Sequence, residues 1–309
     1  MLAIEYTEHG GPEVLHLSDA AAEPTVGPGE VRIAVKASSV NPVDWKIVKG
    51  RPDMPVAFPA IPGRDAAGVV ESVGEGVTGW SIGDEVVTYG HEGRGVRSGG
   101  YAELMTVPAD ALGPKPRSLT WDEAGALPCA GLTAYQVLRL AGVGEGDTVM
   151  VHAAAGGVGH LAVQIARALG AGRVIGTASA PNHEFLRGLR AEPVTYGDGL
   201  VDQVRALAPQ GVDVVVDLVG GGVADQTMAV LAPEGRHASI TDRQIVERGG
   251  HYLQVAANRA DFEALGELFD AGSVKMVLAA VFDLADAAQA FRLSQTRHGR
   301  GKIAIHVSA

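Results

Sequence analysis

The sequence predicts an α/β protein in which a β-rich domain precedes a domain built on a doubly wound parallel sheet. The first third of the chain contains short apolar or alternating runs, such as EVRIAVKAS and AAGVVESVG, separated by turn sequences such as VGPGE. From Thr148 onward, helical segments alternate with the continuous apolar runs TVMVHAA, RVIGTAS and VDVVVDLV. Such continuous runs are typical of strands that are buried on both faces of a parallel sheet.

Two domains also suit the length of the chain, because 309 residues exceed the usual size of one domain. The pattern becomes helical in the stretch LTWDEAGALPCAGLTAYQVLRL, and the tail holds a further helix and a final strand, GKIAIHV. We therefore expect the first domain to span residues 1–125 and the second domain, with the parallel sheet, to span 126–267. Residues 268–309 are expected to fold back onto the first domain.

The composition excludes several classes of partner. A net charge of −11 argues against nucleic acid, since phosphate binding needs a basic face. We find no run of about 18 apolar residues, so we expect no membrane span. The first residues do not resemble a signal peptide, and a single cysteine, Cys129, fits a reducing compartment, so we expect a cytoplasmic location. We further expect a homodimer that acts on a small molecule.

A glycine-rich turn follows the predicted strand TVMVHAA. Its spacing, Ala154-x-Gly156-x-x-Gly159, is the dinucleotide-binding pattern with its first glycine replaced by alanine, and Gly157 and Val158 lie inside it. Gly156 would let a pyrophosphate approach the backbone, and Gly159 would let the following helix lie close to the strand. A tight turn without a ligand is the alternative reading of the same residues.

The next strand carries the signal for the choice of dinucleotide. NAD-binding domains place an acidic residue about 20 residues after the glycines, where it binds the ribose hydroxyls. Here the strand RVIGTAS ends at Ser179, and no acid precedes Glu184. A small polar residue with His183 and Arg187 nearby favours a 2′-phosphate and therefore NADPH. Alternatively, His183 and Arg187 are only solvated helix residues. We also assign Val219 and Gly220, at the end of the run VDVVVDLV, to the cofactor-binding set.

The combination of motifs resembles the zinc-free quinone oxidoreductase branch of the medium-chain dehydrogenases/reductases. The resemblance spans nearly the whole chain, through SSVNPVDWKIVKG, GGYAEL, LPCAGLTAYQVL, HAAAGGVGHLAVQIARALGA and GKIAIHV in that order. It implies a GroES-like β domain followed by a Rossmann domain. It also implies that Thr133 lies beside the nicotinamide and that Tyr196 helps to form the pocket for the adenosine phosphate.

Zinc-dependent relatives use thiolate and imidazole ligands, which this chain lacks at the corresponding positions. Asn41 stands at one usual ligand position, and residues 63–65 read GRD where zinc enzymes have GHE. A GHE does occur at residues 90–92, in a glycine-rich stretch far from the family's position, and we interpret it as a surface loop. We therefore expect no metal.

The segment NPVDWK supplies the candidate catalytic residues Asn41, Asp44 and Lys46. The resemblance implies that this loop lines the nicotinamide pocket. Asn41 would orient the cofactor or a substrate oxygen, and Lys46 would direct an ammonium at a developing enolate. Asp44 would hold Arg64 or Lys46 in place. Structural roles remain open for each, namely a salt bridge for Asp44 and a solvent-facing side chain for Lys46.

These observations together predict an NADPH-dependent reductase that transfers hydride to quinones or α,β-unsaturated carbonyls. In such enzymes the cofactor carries the hydride chemistry and the protein supplies orientation and hydrogen bonds. Two alternatives stay open: a biosynthetic enoyl reductase with a dedicated substrate, and an NADPH-binding sensor or interaction protein with little turnover.

Overall fold

The computed structural model describes residues 1–90, 99–297 and 299–308. The described residues form two compact units. Unit 1 comprises Met1–Cys129, Ala256–Asp270 and Met276–Ala309, and unit 2 comprises Ala130–Val255 and Ala271–Lys275. The domain limits at 125/126 and 267/268 stay a prediction. His91 and Glu92 of the GHE motif lie outside the described residues, so our interpretation of that motif also stays a prediction.

The elements are numbered in chain order. The first stretch of the chain contains β1 (Ala3–Glu5), β2 (His16–Ser18), β3 (Glu30–Val40), α1 (Pro42–Val48), β4 (Asp65–Val73), β5 (Glu85–Tyr89), β6 (Leu104–Pro108), β7 (Leu112–Pro114) and α2 (Trp121–Ala126). The middle stretch contains α3 (Pro128–Leu140), β8 (Thr148–Val151), α4 (Gly159–Ala168), β9 (Arg173–Ala178), α5 (His183–Gly188), β10 (Glu192–Thr195), α6 (Leu200–Leu207), β11 (Val212–Asp217), α7 (Ala224–Val230), β12 (Leu231–Ser239) and β13 (His251–Tyr252). The last stretch contains α8 (Arg259–Asp270), β14 (Leu278–Asp283), α9 (Ala287–Gln295) and β15 (Lys302–His306). Short 3₁₀ turns occupy Pro12–Val14, Ala109–Ala111, Ala180–Asn182, Arg243–Arg248 and Leu284–Asp286.

Unit 1 is built around the long strand β3. Its sheet has the order β14-β15-β3-β4-β5-β7, and β6 also pairs with β3. The last strand, β15, lies antiparallel to β3, with Ile303 opposite Val40 and Ile305 opposite Ser38. This register places the residue before Ile303, which is Lys302, beside the start of the NPVDWK segment.

Unit 2 contains a parallel sheet with the order β10-β9-β8-β11-β12-β13. The chain proceeds outward from β8 to β10, then returns to the other side of β8 as β11. The carboxyl ends of β8 and β11 therefore form the switch point at which open α/β sheets bind ligands. The predicted fold class, a β-rich domain joined to a doubly wound parallel sheet, is confirmed.

The strands of this sheet are apolar because both faces are covered. Val149, Met150 and Val151 of β8 and Val215 of β11 are fully buried. Burying one such side chain stabilises a fold by roughly 1.5–3 kcal/mol relative to leaving it exposed. The continuous apolar runs of the sequence thus indicate strands in the middle of the sheet, with both faces buried.

Helix α4 differs from the one-sided helix that its sequence pattern predicts. Leu161 and Ile165 of the predicted apolar face are buried, but so are His160 and Gln164. The Gln164 side chain donates to the carbonyl of Lys275 at 3.0 Å and accepts from its N–H at 2.9 Å. A segment far along the chain therefore packs beside α4 through the glutamine, which is a contact that local periodicity does not report.

No helix in the described ranges is long and apolar enough to cross a membrane.

Candidate functional site

The turn after β8 presents backbone N–H groups at the switch point. The N–H of His152 still bonds to Val216 of β11 at 3.0 Å, and the chain then turns toward α4. The N–H groups of Gly157 and Val158 have no hydrogen-bond partner within the described part of the chain. Both residues are partly exposed, and they directly precede the first turn of α4. Free N–H groups at the positive end of a helix dipole favour an anion such as a pyrophosphate.

The two glycines of the turn serve different purposes. A Cβ on Gly159 would lie 2.2 Å from the carbonyl oxygen of Ala153 and 2.7 Å from the Cα of Ala154, so the helix can approach the strand only without a side chain there. A Cβ on Gly156 would meet only the carbonyl oxygen of Ala153, at 3.3 Å. Gly159 is therefore required by packing within the protein. Packing within the described residues constrains Gly156 much less than Gly159, because a Cβ at Gly156 would meet only this one atom.

Ser179 and Tyr196 follow neighbouring strand ends. Thr195 of β10 is paired in register with Ala178 of β9, so the next residue on each strand lies at the same edge of the sheet. The Ser179 hydroxyl accepts from the Asn182 amide at 3.1 Å, and Tyr196 is 59% exposed. This edge thus brings together the polar side chains of Ser179, Asn182 and Tyr196; the 2′-phosphate pocket stays a prediction.

His183 and Arg187 lie on α5, next to this edge. His183 Nε2 lies 3.3 Å from the hydroxyl of Thr195, which ties the start of α5 to the end of β10. The Arg187 guanidinium lies one turn further on and donates to Glu184 at 3.2 Å. Both members of that ion pair are largely exposed, so solvent screens it and it constrains Arg187 only weakly.

Asp217, at the end of β11, organises the adjacent loop and was not among the residues predicted from the sequence. Its Oδ1 accepts from the N–H groups of Val219 and Gly220 at 2.8 and 2.9 Å. Its Oδ2 accepts from the Ser239 hydroxyl on β12 at 2.8 Å. The backbone of Val219 and Gly220 is thereby fixed at the switch point. The signal in the sequence was an acid that interrupts an apolar run.

Thr133 lies in α3 and is only 5% exposed.

In unit 1, Asn41 lies at the centre of a buried polar cluster. Its Nδ2 donates to Asp65 Oδ2 at 2.7 Å, and its Oδ1 accepts from Lys302 Nζ at 2.6 Å. The Lys302 ammonium also donates to the carbonyl of Val40 at 3.0 Å and lies 3.8 Å from Asp65 Oδ2. None of these side chains is more than 4% exposed. The hydrogen bonds of Nδ2 and Oδ1 fix the orientation of the Asn41 side-chain amide. The second hydrogen on Nδ2 remains available.

The Asp65 carboxylate collects the other donors of this cluster. Its Oδ1 accepts from the N–H of Cys129 at 2.8 Å, and its Oδ2 accepts from the Ser39 hydroxyl at 2.6 Å. Burial raises the pKa of Asp65, while the nearby Lys302 ammonium and these hydrogen bonds oppose that shift. Three separate segments of unit 1, at residues 39–41, 129 and 302, therefore meet at the Asp65 carboxylate.

Asp44 holds the start of α1. Its Oδ2 accepts from the N–H of Asn41 at 2.7 Å, and its own N–H donates to the Asn41 carbonyl at 3.0 Å. Its Oδ1 is buried and has no partner among the described residues. Burial raises the pKa of Asp44 to about 7; the Asn41 hydrogen bond acts in the opposite direction, and the charge of Asp65 raises it further. The carboxyl group can therefore exchange a proton near neutral pH.

Lys46 lies outside this buried cluster. It is exposed on α1, with its ammonium 5.6 Å from the centre of the Trp45 ring. Partial desolvation lowers the pKa of Lys46, and the positive charges of Arg51 and Arg297 lower it further. A cation that is crowded by other cations is suited to meeting a negative charge.

Lys302 has no local signal in the sequence, and Asp65 is visible there only as the last residue of GRD. Lys302 is the residue that begins β15, in the motif GKIAIHV. Across the described ranges, no group of three or more His, Cys, Asp or Glu side chains is placed to hold a metal ion.

Comparison with known proteins agrees with this architecture. The family model of the alcohol dehydrogenase GroES-like domain matches residues 27–117, and that of zinc-binding dehydrogenase matches residues 189–305. The 2-methylene-furan-3-one reductase of Solanum lycopersicum is 33% identical, over 99% of this chain and 79% of that protein. The chloroplast envelope quinone oxidoreductase homolog of Arabidopsis thaliana is 34% identical, over 99% and 98% of the two chains. The crystal structure of Escherichia coli quinone oxidoreductase complexed with NADPH superimposes with a TM-score of 0.84, at 28% identity over 99% of this chain and 100% of that one.

A GroES-like unit and a parallel-sheet unit with a glycine turn define a medium-chain dehydrogenase/reductase. The chain belongs to this superfamily and, within it, to the quinone oxidoreductase family. It is therefore an oxidoreductase that uses a nicotinamide cofactor, and the predicted enzyme class is confirmed.

The buried Lys302 ammonium is expected to be essential for the stability of unit 1. Lys302→Met would leave the Asp65 carboxylate without its neighbouring cation and the side-chain oxygen of Asn41, Oδ1, without a hydrogen-bond donor. We expect the free energy of unfolding to fall by about 3–5 kcal/mol, the usual effect of breaking a buried ion pair. Urea titration followed by circular dichroism measures this change. Arg117→Met is the matched control, because Arg117 is 92% exposed in its pair with Asp270 and should contribute less than about 1 kcal/mol. Equal effects of the two substitutions would contradict the buried role.

Asp44 should make the stability depend on pH in the acid-to-neutral range. The pKa of Asp44 is about 7 in the folded protein, against an ordinary value of 3.8. Between these values the folded state binds more protons than the unfolded chain, so ionisation of Asp44 removes stability as the pH rises. Asp44→Asn does not titrate. The quantity to measure is the unfolding temperature of the variant minus that of the original protein. We expect this difference to increase from pH 5 to pH 8. A constant difference across this range would contradict the raised pKa.

Proposed function

We propose that the protein is an NADPH-dependent reductase that transfers hydride to quinones or α,β-unsaturated carbonyls. The observation that carries this proposal is the pair of free N–H groups, on Gly157 and Val158, at the start of α4 and at the switch point of the sheet. The family membership adds support, since one relative is named a furanone reductase and another a quinone oxidoreductase homolog.

The residues of unit 2 fit a dinucleotide. Gly156 leaves space for the pyrophosphate, and the N–H groups of Gly157 and Val158 would bind its oxygens. Ser179, His183, Arg187 and Tyr196 would surround the 2′-phosphate at the ends of β9 and β10. When bound, the reduced nicotinamide supplies the hydride.

Further contacts to the dinucleotide come from three other places in unit 2. Val219 and Gly220, which Asp217 holds in place, would contact it at the end of β11. Ala154 and Thr133 complete the proposed binding set.

The side chains of the NPVDWK segment supply donors for a developing oxyanion. Hydride addition to a β-carbon sends negative charge to the carbonyl oxygen, and each hydrogen-bond donor to such an oxygen typically contributes about 10²–10³ in rate. The free hydrogen on Asn41 Nδ2 is one candidate donor, and the Lys46 ammonium is the other. Asp44 acts by holding the backbone of Asn41 in place.

We also propose that the reaction needs no metal, that the enzyme is a homodimer and that it is cytoplasmic. The chain has a single cysteine, Cys129, whereas zinc sites in such enzymes combine thiolate and imidazole ligands.

The proposed reaction is tested by isotope transfer. NADPH is deuterated at C4 on one face in a first reaction and on the other face in a second. We expect one of the two cofactors to deliver deuterium to the β-carbon of the saturated ketone formed from an enone. A parallel reaction in D₂O with unlabelled NADPH should place deuterium at the α-carbon, since that proton comes from a group that exchanges with solvent. Mass and NMR spectra of the product locate each label. Deuterium at the carbinol carbon of an allylic alcohol would show direct carbonyl reduction and overturn the proposal.

The choice of NADPH over NADH should depend on Arg187 and on its partner. Arg187→Ala removes a cation beside the 2′-phosphate, so the ratio of NADH to NADPH dissociation constants should fall by about two- to fivefold, the effect of one exposed charged contact. Glu184→Gln releases Arg187 from its ion pair and should raise that ratio. Fluorescence titration measures both constants. Arg167→Ala, at the far end of α4, has the same charge change and should leave the ratio unchanged. If all three variants keep the original ratio, Arg187 is only a solvated helix residue.

A further inference from the structure

Ala153 adopts a backbone conformation that an alanine normally avoids. Its φ is +51°, in the left-handed region, where the Cβ crowds the following carbonyl group. The residue lies immediately before the glycine turn, between β8 and the free N–H groups at the start of α4. A conformation of this kind persists only when neighbouring groups impose it.

The neighbouring strand β9 imposes this conformation, and Thr177 does so at two points. The Thr177 hydroxyl oxygen accepts from the N–H of Ala153 at 3.0 Å, and its carbonyl accepts from the N–H of Ala154 at 2.9 Å. Gly176, one residue earlier, leaves room for the turn, since a Cβ there would lie 2.7 Å from the Cβ of Ala154. Thr177 is 1% exposed. The turn is therefore held by a side-chain oxygen as well as by the strand backbone.

The orientation of Ala153 determines the geometry of the remaining turn. Its carbonyl oxygen accepts from the N–H of Gly156 at 3.0 Å, which closes the turn. The same oxygen is the atom nearest to the position of a Cβ on Gly159, so it sets how close α4 approaches. If Ala153 relaxed to a right-handed or extended conformation, its carbonyl would rotate away from both glycines. The N–H groups of Gly157 and Val158 would then change direction.

We propose that Thr177 is a positioning residue of the cofactor site: its hydroxyl holds Ala153 in the left-handed conformation and so directs the N–H groups of the turn at the pyrophosphate. This inference rests on the proposed binding of a dinucleotide to unit 2. Thr177 need not contact the cofactor, and it acts through the backbone of Ala153. The hydroxyl oxygen is required, whereas the methyl group only fills space.

The test compares cofactor affinity in variants that remove or keep this oxygen. Thr177→Val preserves the shape of the side chain but removes the acceptor, so NADPH should bind about five- to tenfold more weakly, the effect of losing one hydrogen bond. Thr177→Ser keeps the acceptor and should bind within about twofold of the original protein. Binding is measured by fluorescence titration, with no substrate present. Thermal unfolding of each variant reports whether it is folded.

Two further variants separate positioning from a general loss of stability. Thr88→Val removes another buried hydroxyl, one that donates to the carbonyl of Ala111 in unit 1; it should lower the unfolding temperature without changing NADPH affinity. Ala153→Gly, combined with Thr177→Val, should restore most of the lost affinity, because glycine adopts a positive φ without help.

The affinities of these variants for NADPH either support or contradict the role of Thr177. Unchanged affinity in Thr177→Val would overturn the inference. Weak binding that Ala153→Gly does not restore would also overturn it, since Thr177 would then act by some route other than the conformation of Ala153. An original protein that binds neither NADPH nor NADH would instead overturn the proposed function.

Discussion

The carboxylate of Asp65 is the constraint around which unit 1 is organised. Moving an ionised carboxyl group from water into a protein interior costs several kcal/mol, so the site must supply donors to every face of the group. Those donors are Ser39 and Asn41, at the end of β3 and just after it, and the N–H of Cys129 at the start of α3. The ammonium of Lys302, the first residue of β15, adds an ion pair at 3.8 Å. Contact with the same carboxylate fixes the position of each of these segments. The orientation of the Asn41 amide is one result.

The proposed cofactor site of unit 2 depends on backbone groups rather than on charged side chains. In the proposed function, its turn would bind an anion through N–H groups that every residue type except proline carries, so the turn requires only that its side chains be small. The result is a stretch in which glycine, alanine and a strained alanine conformation replace charged residues. A rate-enhancing donor, by contrast, must be a particular side chain at a particular position. In the proposed function, cofactor binding therefore depends mainly on main-chain groups, whereas the oxyanion contacts depend on particular side chains.

The features that were predictable from the sequence are those that short stretches encode. The buried strands and the glycine turn appear as local patterns, and the fold class and superfamily follow from them. The Arg187–Glu184 pair is also a local feature, because its members lie three residues apart on one helix.

The residues that were missed act over long separations in the chain. Lys302 and Asn41 are 261 positions apart, and Gln164 reaches Lys275 across 111 positions. A single sequence contains no periodic signal that connects such residues. Their pairing follows from the strand register and from the need of buried polar groups for partners, and both of these become visible only in three dimensions.

The position of β15 between β14 and β3 has a consequence for how the chain is made. Synthesis proceeds from the N-terminus, so β3 is complete long before the strand that covers one side of its residues Ala37–Val40. In contrast, the strands of unit 2 come from one continuous stretch, Ala130–Val255, and can assemble as that stretch leaves the ribosome. During this interval the end of β3 lacks its partner strand on that side, and an unpaired strand edge is a surface on which nascent chains can pair with one another. That edge is covered only once residues 302–306 have been made.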